Sequence, residues 1–145
     1  MEIDTELAKE IIIDHYESPK TKVKKFKNIK YIKGHNDSPS CIDNIDSYVW
    51  IENNKVKDVK FSGVGCAICT SSTDLLALEI IGKPLITAKK IINNYLNMIY
   101  GKNVNAKLLG NLIVYKNVNK QANRIKCATT GIQAIQKAIN KYEKK

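Results

Sequence analysis

The apolar positions of this chain change period several times, and each change marks an element. Between Thr5 and Glu17, Leu7, Ile11 and Ile12 recur among Glu and Lys at helical spacing. This predicts an amphipathic helix that stops before Ser18-Pro19, because a proline drives the residue before it out of the helical region. A lysine-rich connector follows, then a short strand expected around Asn28 to Lys33. From Ile45 to Glu52 the chain is rich in strand formers (Tyr48, Val49, Trp50, Ile51), and Lys55 to Ser62 alternates near Val59, Lys60 and Phe61. Asn53-Asn54 between them suits a two-residue hairpin turn, since asparagine tolerates positive φ. After Gly63-Val64-Gly65 the period becomes helical. One helix is expected from near Thr70-Ser71 to Ile81, with Ser71 and Asp74 at capping-box spacing and Gly82 and Pro84 beyond its end. A second is expected from Leu85 to Met98 and a last one from about Gln121 to Tyr142; Lys102 to Asn119 is weakly patterned, with a turn at Gly110. Helices outnumber strands and the strands pair locally. The expected class is therefore α+β, a small antiparallel sheet covered on one face by helices. With 145 residues and neither repeat nor linker, one domain over 1–145 is expected.

Composition narrows the setting. No apolar run approaches the ~20 residues that span a bilayer. The start, Met-Glu-Ile-Asp-Thr-Glu, lacks the basic and apolar regions of a signal peptide, so a cytoplasmic location without membrane association is expected. In that compartment thiols stay reduced, and four cysteines read as metal or sulfur chemistry rather than disulfides. The net charge of +10 comes from 24 basic residues, of which only Arg124 is arginine. Specific phosphate and base recognition draws on arginine's planar fork. The lysines are scattered apart from a cluster at Lys20, Lys22, Lys24, Lys25, Lys27, Lys30 and Lys33. A lysine-rich surface is expected rather than a nucleic-acid site. Arg124, three residues before Cys127, suits bidentate carboxylate binding or a plain surface position.

Three cysteines stand in separate segments, each shaped to present a thiol. Cys41 follows the Ser38-Pro39-Ser40 turn, with Asp43 two residues on; Cys66 follows Gly63 and Gly65 where a strand gives way to a helix; Cys127 sits on the last helix. On that helix Ile125, Ala128, Ile132, Ile135 and Ile139 form one stripe. Cys127 falls on a neighbouring face with Gly131, Ala134 and Ala138, where small residues admit a close-packed element. Three sulfurs and a carboxylate can close a tetrahedral zinc site, or hold an iron–sulfur cluster. Cys69, three residues after Cys66, is either a rival fourth ligand or a small buried residue. His15 reads as a packed or interface residue, and His35, before Cys41, as an outside ligand candidate.

Together these motifs resemble the SufU/IscU family of iron–sulfur assembly proteins. The resemblance is carried by Ile13-Asp14-His15-Tyr16-Glu17-Ser18-Pro19, Ser38-Pro39-Ser40-Cys41-Ile42-Asp43, Val59-Lys60-Phe61-Ser62-Gly63-Val64-Gly65-Cys66-Ala67-Ile68 and Arg124-Ile125-Lys126-Cys127-Ala128-Thr129. They occur in family order along most of the chain. Cys127 lies 61 positions after Cys66, and this long gap, Lys126 in place of a histidine and the absence of a Leu-Pro-Pro-Val-Lys motif are similar to the SufU branch. The resemblance implies an IscU/SufU-like fold and a zinc ion held by Cys41, Asp43, Cys66 and Cys127. It also implies a sulfurtransferase-like role in which Cys41 takes persulfide sulfur from a SufS-type cysteine desulfurase and passes it to a downstream iron–sulfur scaffold. A scaffold that builds a cluster on the same residues is the alternative, and a basic nucleic-acid-binding module with structural zinc a remote third. Two positions depart from the family: Ile42 replaces a glycine, which stiffens the Cys41 loop, and Cys69 replaces a serine.

Overall fold

The computed structural model describes residues 4–38 and 42–144. Helix α1 spans Thr5–Glu17, opened by the Asp4 carboxylate, which accepts the Glu6 N–H at 2.9 Å. Strands β1 (Ile32–Asp37), β2 (Asn44–Glu52) and β3 (Lys55–Val64) form one antiparallel sheet in the order β1-β2-β3. Helices α2 (Ala67–Ile80), α3 (Leu85–Ile99) and α4 (Ala122–Glu143) complete the regular elements. The α+β class and the helix-covered sheet agree with expectation.

Asn53 and Asn54 sit at φ 54° and 56°, both left-handed, as a type I′ hairpin turn between β2 and β3 requires. The first strand begins later than expected. Residues 28–31 make a turn instead, in which Asn28 accepts the Lys30 N–H on its side chain at 2.9 Å and the Tyr31 N–H on its carbonyl at 3.0 Å. Helix α2 begins earlier than the expected Thr70-Ser71, at Ala67, because Cys66 caps it. The expected Ser71–Asp74 capping box is absent: both residues are buried in mid-helix and Asp74 bonds elsewhere. The weakly patterned stretch holds three short 3-10 helices, Ala106–Leu108, Gly110–Tyr115 and Val118–Lys120, which bury Leu109, Leu112 and Tyr115.

One face of the sheet carries the core. Val49, Ile51, Val56 and Val59 pack with Leu76 and Ile80 of α2 and with Ile132, Ile135 and Ile139 of α4. The small face of α4 receives β1. A Cβ at Gly34 would lie 2.1 Å from the Ala134 carbonyl oxygen and 2.7 Å from the Ala138 nitrogen, so only glycine permits the crossing. Gly131 makes the matching approach to α2, where a Cβ would overlap the Thr73 side chain. On the opposite face of the sheet Phe26 of the connector meets Tyr31 and Tyr48 edge-on, at ring-centre distances of 4.9 and 5.3 Å. No described helix is long and apolar enough to cross a membrane. Helix α4 begins at Gln121 with no side-chain cap, and residues 121–124 are exposed.

Candidate metal centre

The centre forms where the start of β2, the end of β3 and α4 meet. Gly63, at φ +117°, brings β3 so close to β2 that a Cβ would lie 2.1 Å from the Asn44 carbonyl oxygen. The chain then turns through Gly65 and delivers Cys66 as the cap of α2. The Cys66 sulfur accepts the Cys69 N–H at 3.4 Å, so a cysteine fills the role usually given to Ser, Thr, Asp or Asn. Asp43, the residue before β2, is 1% exposed. Its Oδ1 accepts the Cys66 N–H at 2.9 Å, and its Oδ2 lies 4.0 Å from the Cys66 sulfur. The Asp43 carbonyl in turn accepts the Ser38 N–H at 2.9 Å. Carboxylate and sulfur are thus held by one shared backbone.

Cys127, 9% exposed on α4, supplies the third donor. The Tyr95 hydroxyl donates to the Ala128 carbonyl at 2.8 Å and holds this part of the helix against α3. The donor atoms of Asp43, Cys66 and Cys127 all lie within 4.8 Å of one another. A tetrahedral zinc with Zn–S of about 2.3 Å and Zn–O of about 2.0–2.2 Å has donor–donor edges of roughly 3.5–3.8 Å. Side-chain rotations of about 1 Å therefore suffice to close the three onto one ion, and soft sulfur with one hard oxygen is a donor set zinc accepts. Cys41 falls within residues 39–41 and lies outside the described residues, as does the Pro39-Ser40 turn.

The other candidates lie elsewhere. Cys69 is fully buried against Ile45, Phe61 and Ala134 and is not part of the donor group. Burial pushes its thiol pKa far up, with the nearby Asp43 and Cys66 adding to the shift. It behaves as the small buried residue of the two readings. His35 is on β1 rather than in a loop, exposed, with Nδ1 2.8 Å from Asp46 Oδ1, so its expected candidacy as a ligand fails. Arg124 is exposed on the first turn of α4.

His15 has a packing role that the sequence only hinted at. Its Nδ1 lies 2.6 Å from Oδ2 of Asp74, which is fully buried in α2. Asp74 Oδ2 also accepts the Lys20 N–H at 3.1 Å, and Oδ1 accepts the Thr21 N–H and hydroxyl at 2.8 and 2.7 Å. The anchor holds the chain after α1 beside β3, where Phe61 N–H donates to the Thr21 carbonyl at 3.1 Å and Val23 N–H to the Phe61 carbonyl at 2.8 Å. An unbroken Thr-Ser-Ser-Thr-Asp run inside an apolar helix was the available signal, since buried polar groups demand partners.

A protein-family model described as the NifU-like N-terminal domain matches residues 7–145. The chain belongs to this family. Its curated relatives include a zinc-dependent sulfurtransferase and several proteins named for iron–sulfur cluster assembly. The "Zinc-dependent sulfurtransferase SufU" of Bacillus subtilis is 32% identical over 142 residues, covering 97% of this chain and 94% of the relative. The "Iron-sulfur cluster assembly scaffold protein IscU" of Streptococcus pyogenes is 32% identical over 106 residues, covering 72% and 67%. Among solved structures, a SUF-system scaffold protein from Fervidobacterium islandicum superposes with a TM-score of 0.80 at 32% identity, covering 89% of this chain and 93% of that one. A NifU-like N-terminal domain from Brucella abortus has a TM-score of 0.79 at 14% identity, covering 94% of each chain, and shows the shared fold. Membership places the chain beside relatives named for iron–sulfur cluster assembly, and its Asp43, Cys66 and Cys127 form a donor group that could hold metal.

Proposed function

We propose that this chain is a zinc-dependent sulfur acceptor that takes persulfide sulfur from a SufS-type cysteine desulfurase in the cytoplasm and passes it to an iron–sulfur scaffold. The observation that carries the reading is the Asp43, Cys66 and Cys127 donor group, whose Asp43 stands two residues after Cys41 in the sequence. Its likeness to the B. subtilis sulfurtransferase over nearly the full length of both chains adds support. Two apolar side chains beside the site, Ile42 at 67% and Val64 at 59% exposure, offer a protein partner contact area.

Zinc, when bound, would keep its sulfur ligands deprotonated at neutral pH. The residues do the rest. Asp43, Cys66 and Cys127 would hold the metal from the start of β2, the cap of α2 and α4. Cys41 would be the fourth ligand and the one to leave. Its thiolate attacks the outer sulfur of the desulfurase persulfide, the S–S bond of that persulfide breaks, and the desulfurase thiolate departs with the electron pair. Cys41 then carries the persulfide. Thiol exchange of this kind is governed by thiolate fraction and access.

The same donors suit a cluster scaffold, the role named for the IscU relatives. Metal analysis and desulfurase turnover test the proposal together. A colourless protein with stoichiometric zinc that accelerates turnover, an effect lost in Cys41→Ala, is the expected result. A brown protein holding iron and sulfide, or a Cys41→Ala variant that stimulates turnover like the parent, overturns it.

A further inference from the structure

Cys69 takes no part in the metal group, yet it stands beside a sulfur that does. We infer that Cys66 and Cys69 form a redox pair: a peroxide converts them to a disulfide, which removes Cys66 from the metal centre. The inference rests on Cys66 belonging to that centre and is independent of the sulfur-transfer step.

The geometry is that of a dithiol at a helix start. Cys66 is the cap of α2 and Cys69 lies in its first turn; the Cys66 sulfur is turned over that turn, 3.4 Å from the Cys69 nitrogen. Residues three apart on a helix have Cβ atoms about 5–6 Å apart, and a disulfide needs about 3.5–4.5 Å. The extended backbone of Cys66, at ψ 176°, leaves it free of the helical constraint, so the remaining approach is local. On the side of Gly65 the Cys69 sulfur meets only glycine, where a Cβ would lie 3.0 Å away, while Ile45, Phe61 and Ala134 pack the rest of its surroundings.

The two thiols differ in access. Cys66 is half-buried and accessible; Cys69 is fully buried and shielded from oxidants itself. With metal bound, Cys127 is committed as a ligand while Cys69 is a free neighbouring thiol. The peroxide oxidises the Cys66 sulfur to a sulfenic acid and is itself reduced at its O–O bond. The Cys69 sulfur attacks the sulfenic sulfur, its thiol proton leaves with the hydroxide as water, and the S–S bond forms. Two thiols have then lost two electrons and two protons. The disulfide sulfurs are no longer thiolate donors, and only Asp43 and Cys127 of the donor group remain.

Peptide mapping tests this directly. Trypsin leaves Cys66 and Cys69 together in peptide 61–89 and puts Cys127 in peptide 127–137. The zinc-loaded protein is treated with hydrogen peroxide, alkylated and digested, while a chromogenic chelator follows zinc. The expected result is peptide 61–89 lighter by two hydrogens and resistant to alkylation, zinc released in step, and both reversed by dithiothreitol and added zinc. In Cys69→Ala and Cys69→Ser the Cys66 sulfenic acid has no resolving thiol beside it and is oxidised further, so the same peptide instead gains two or three oxygens as sulfinic or sulfonic acid, and reductant fails to restore zinc binding. A cross-link between peptides 61–89 and 127–137, or a parent peptide 61–89 that gains oxygen without losing hydrogens, overturns the inference, and the parent map decides this even if a variant does not fold. A protein that purifies without metal but forms the 66–69 disulfide keeps the pair and defeats the proposed function instead.

Discussion

Truncating Asp74 isolates the anchor that ties the chain after α1 to α2 and β3. Asp74→Ala removes the acceptor for four donors: the Thr21 N–H at 2.8 Å, the Thr21 hydroxyl at 2.7 Å, the Lys20 N–H at 3.1 Å and the His15 ring at 2.6 Å. Lys20 is exposed, so water replaces its lost bond. Thr21 is 5% exposed, and its N–H is left without a partner, at a cost of about 1–3 kcal/mol. Its hydroxyl and the His15 ring each lose a net bond of about 1 kcal/mol. The sum is about 3–5 kcal/mol, a large share of the 5–15 kcal/mol that stabilises an ordinary domain. For a chain of this length that corresponds to a fall in Tm of roughly 8–15 °C. Asp74→Asn keeps an oxygen for Thr21 but turns an NH2 toward Lys20 N–H and His15, and should cost about half as much. Urea denaturation followed by far-UV circular dichroism, fitted with a common m-value, gives the differences. An Asp74→Ala protein within about 1 kcal/mol of the parent would show that these bonds are replaced by water and that the anchor is not structural.

Gly34→Ala should destabilise by about 1–3 kcal/mol, because the added Cβ meets the Ala134 carbonyl oxygen rather than a flexible side chain; denaturation midpoints check this. Glu79 is half-buried, and burial raises its carboxyl above the ordinary value, opposed by Lys83. Its protonated form therefore favours the fold, a contribution present below the ordinary carboxylate range and lost as pH rises through the raised value. Glu79→Gln should raise Tm at pH 7, with the gain vanishing in acid; a gain that persists in acid would contradict the burial argument. Asp43→Ala should weaken zinc binding and lower Tm in the zinc-loaded protein, and a chelator should lower the parent's Tm toward the same value, because site binding is coupled to folding. Differential scanning calorimetry with and without chelator measures both.

The sequence showed most of the frame and part of the site. The hairpin was legible because Asn53-Asn54 carries its own turn chemistry, and α1, α3 and α4 because their periods are clean. The start of α2 was not, because a cysteine serves as its cap and cysteine is outside the usual capping set. Its interior was misread for a related reason: Ser71 and Asp74 look like a helix start, yet both are buried and Asp74 bonds to residues more than fifty positions away. The convergence of Asp43, Cys66 and Cys127 was suggested by motif spacing, but that Asp43 also holds the Cys66 N–H depends on how β3 crosses β2 at Gly63. His35 was misplaced because the strand that carries it begins after a turn that Asn28 stabilises with its own side chain.

The uncapped start of α4 bears on how tightly metal can be held. Cys127 lies just beyond residues 121–124, which are exposed and lack a side-chain cap; helix ends of that kind fray, and the Tyr95 hydroxyl grips this helix only at the Ala128 carbonyl, on the far side of Cys127. A ligand on such an end is offered only in the fraction of molecules whose first turns are formed, and the apparent dissociation constant rises in inverse proportion to that fraction. Metal affinity would then depend partly on a helix–coil equilibrium outside the donor group. A better cap at Gln121 would tighten binding without touching a donor atom, and a cofactor-free molecule would lose order first along that end of the helix.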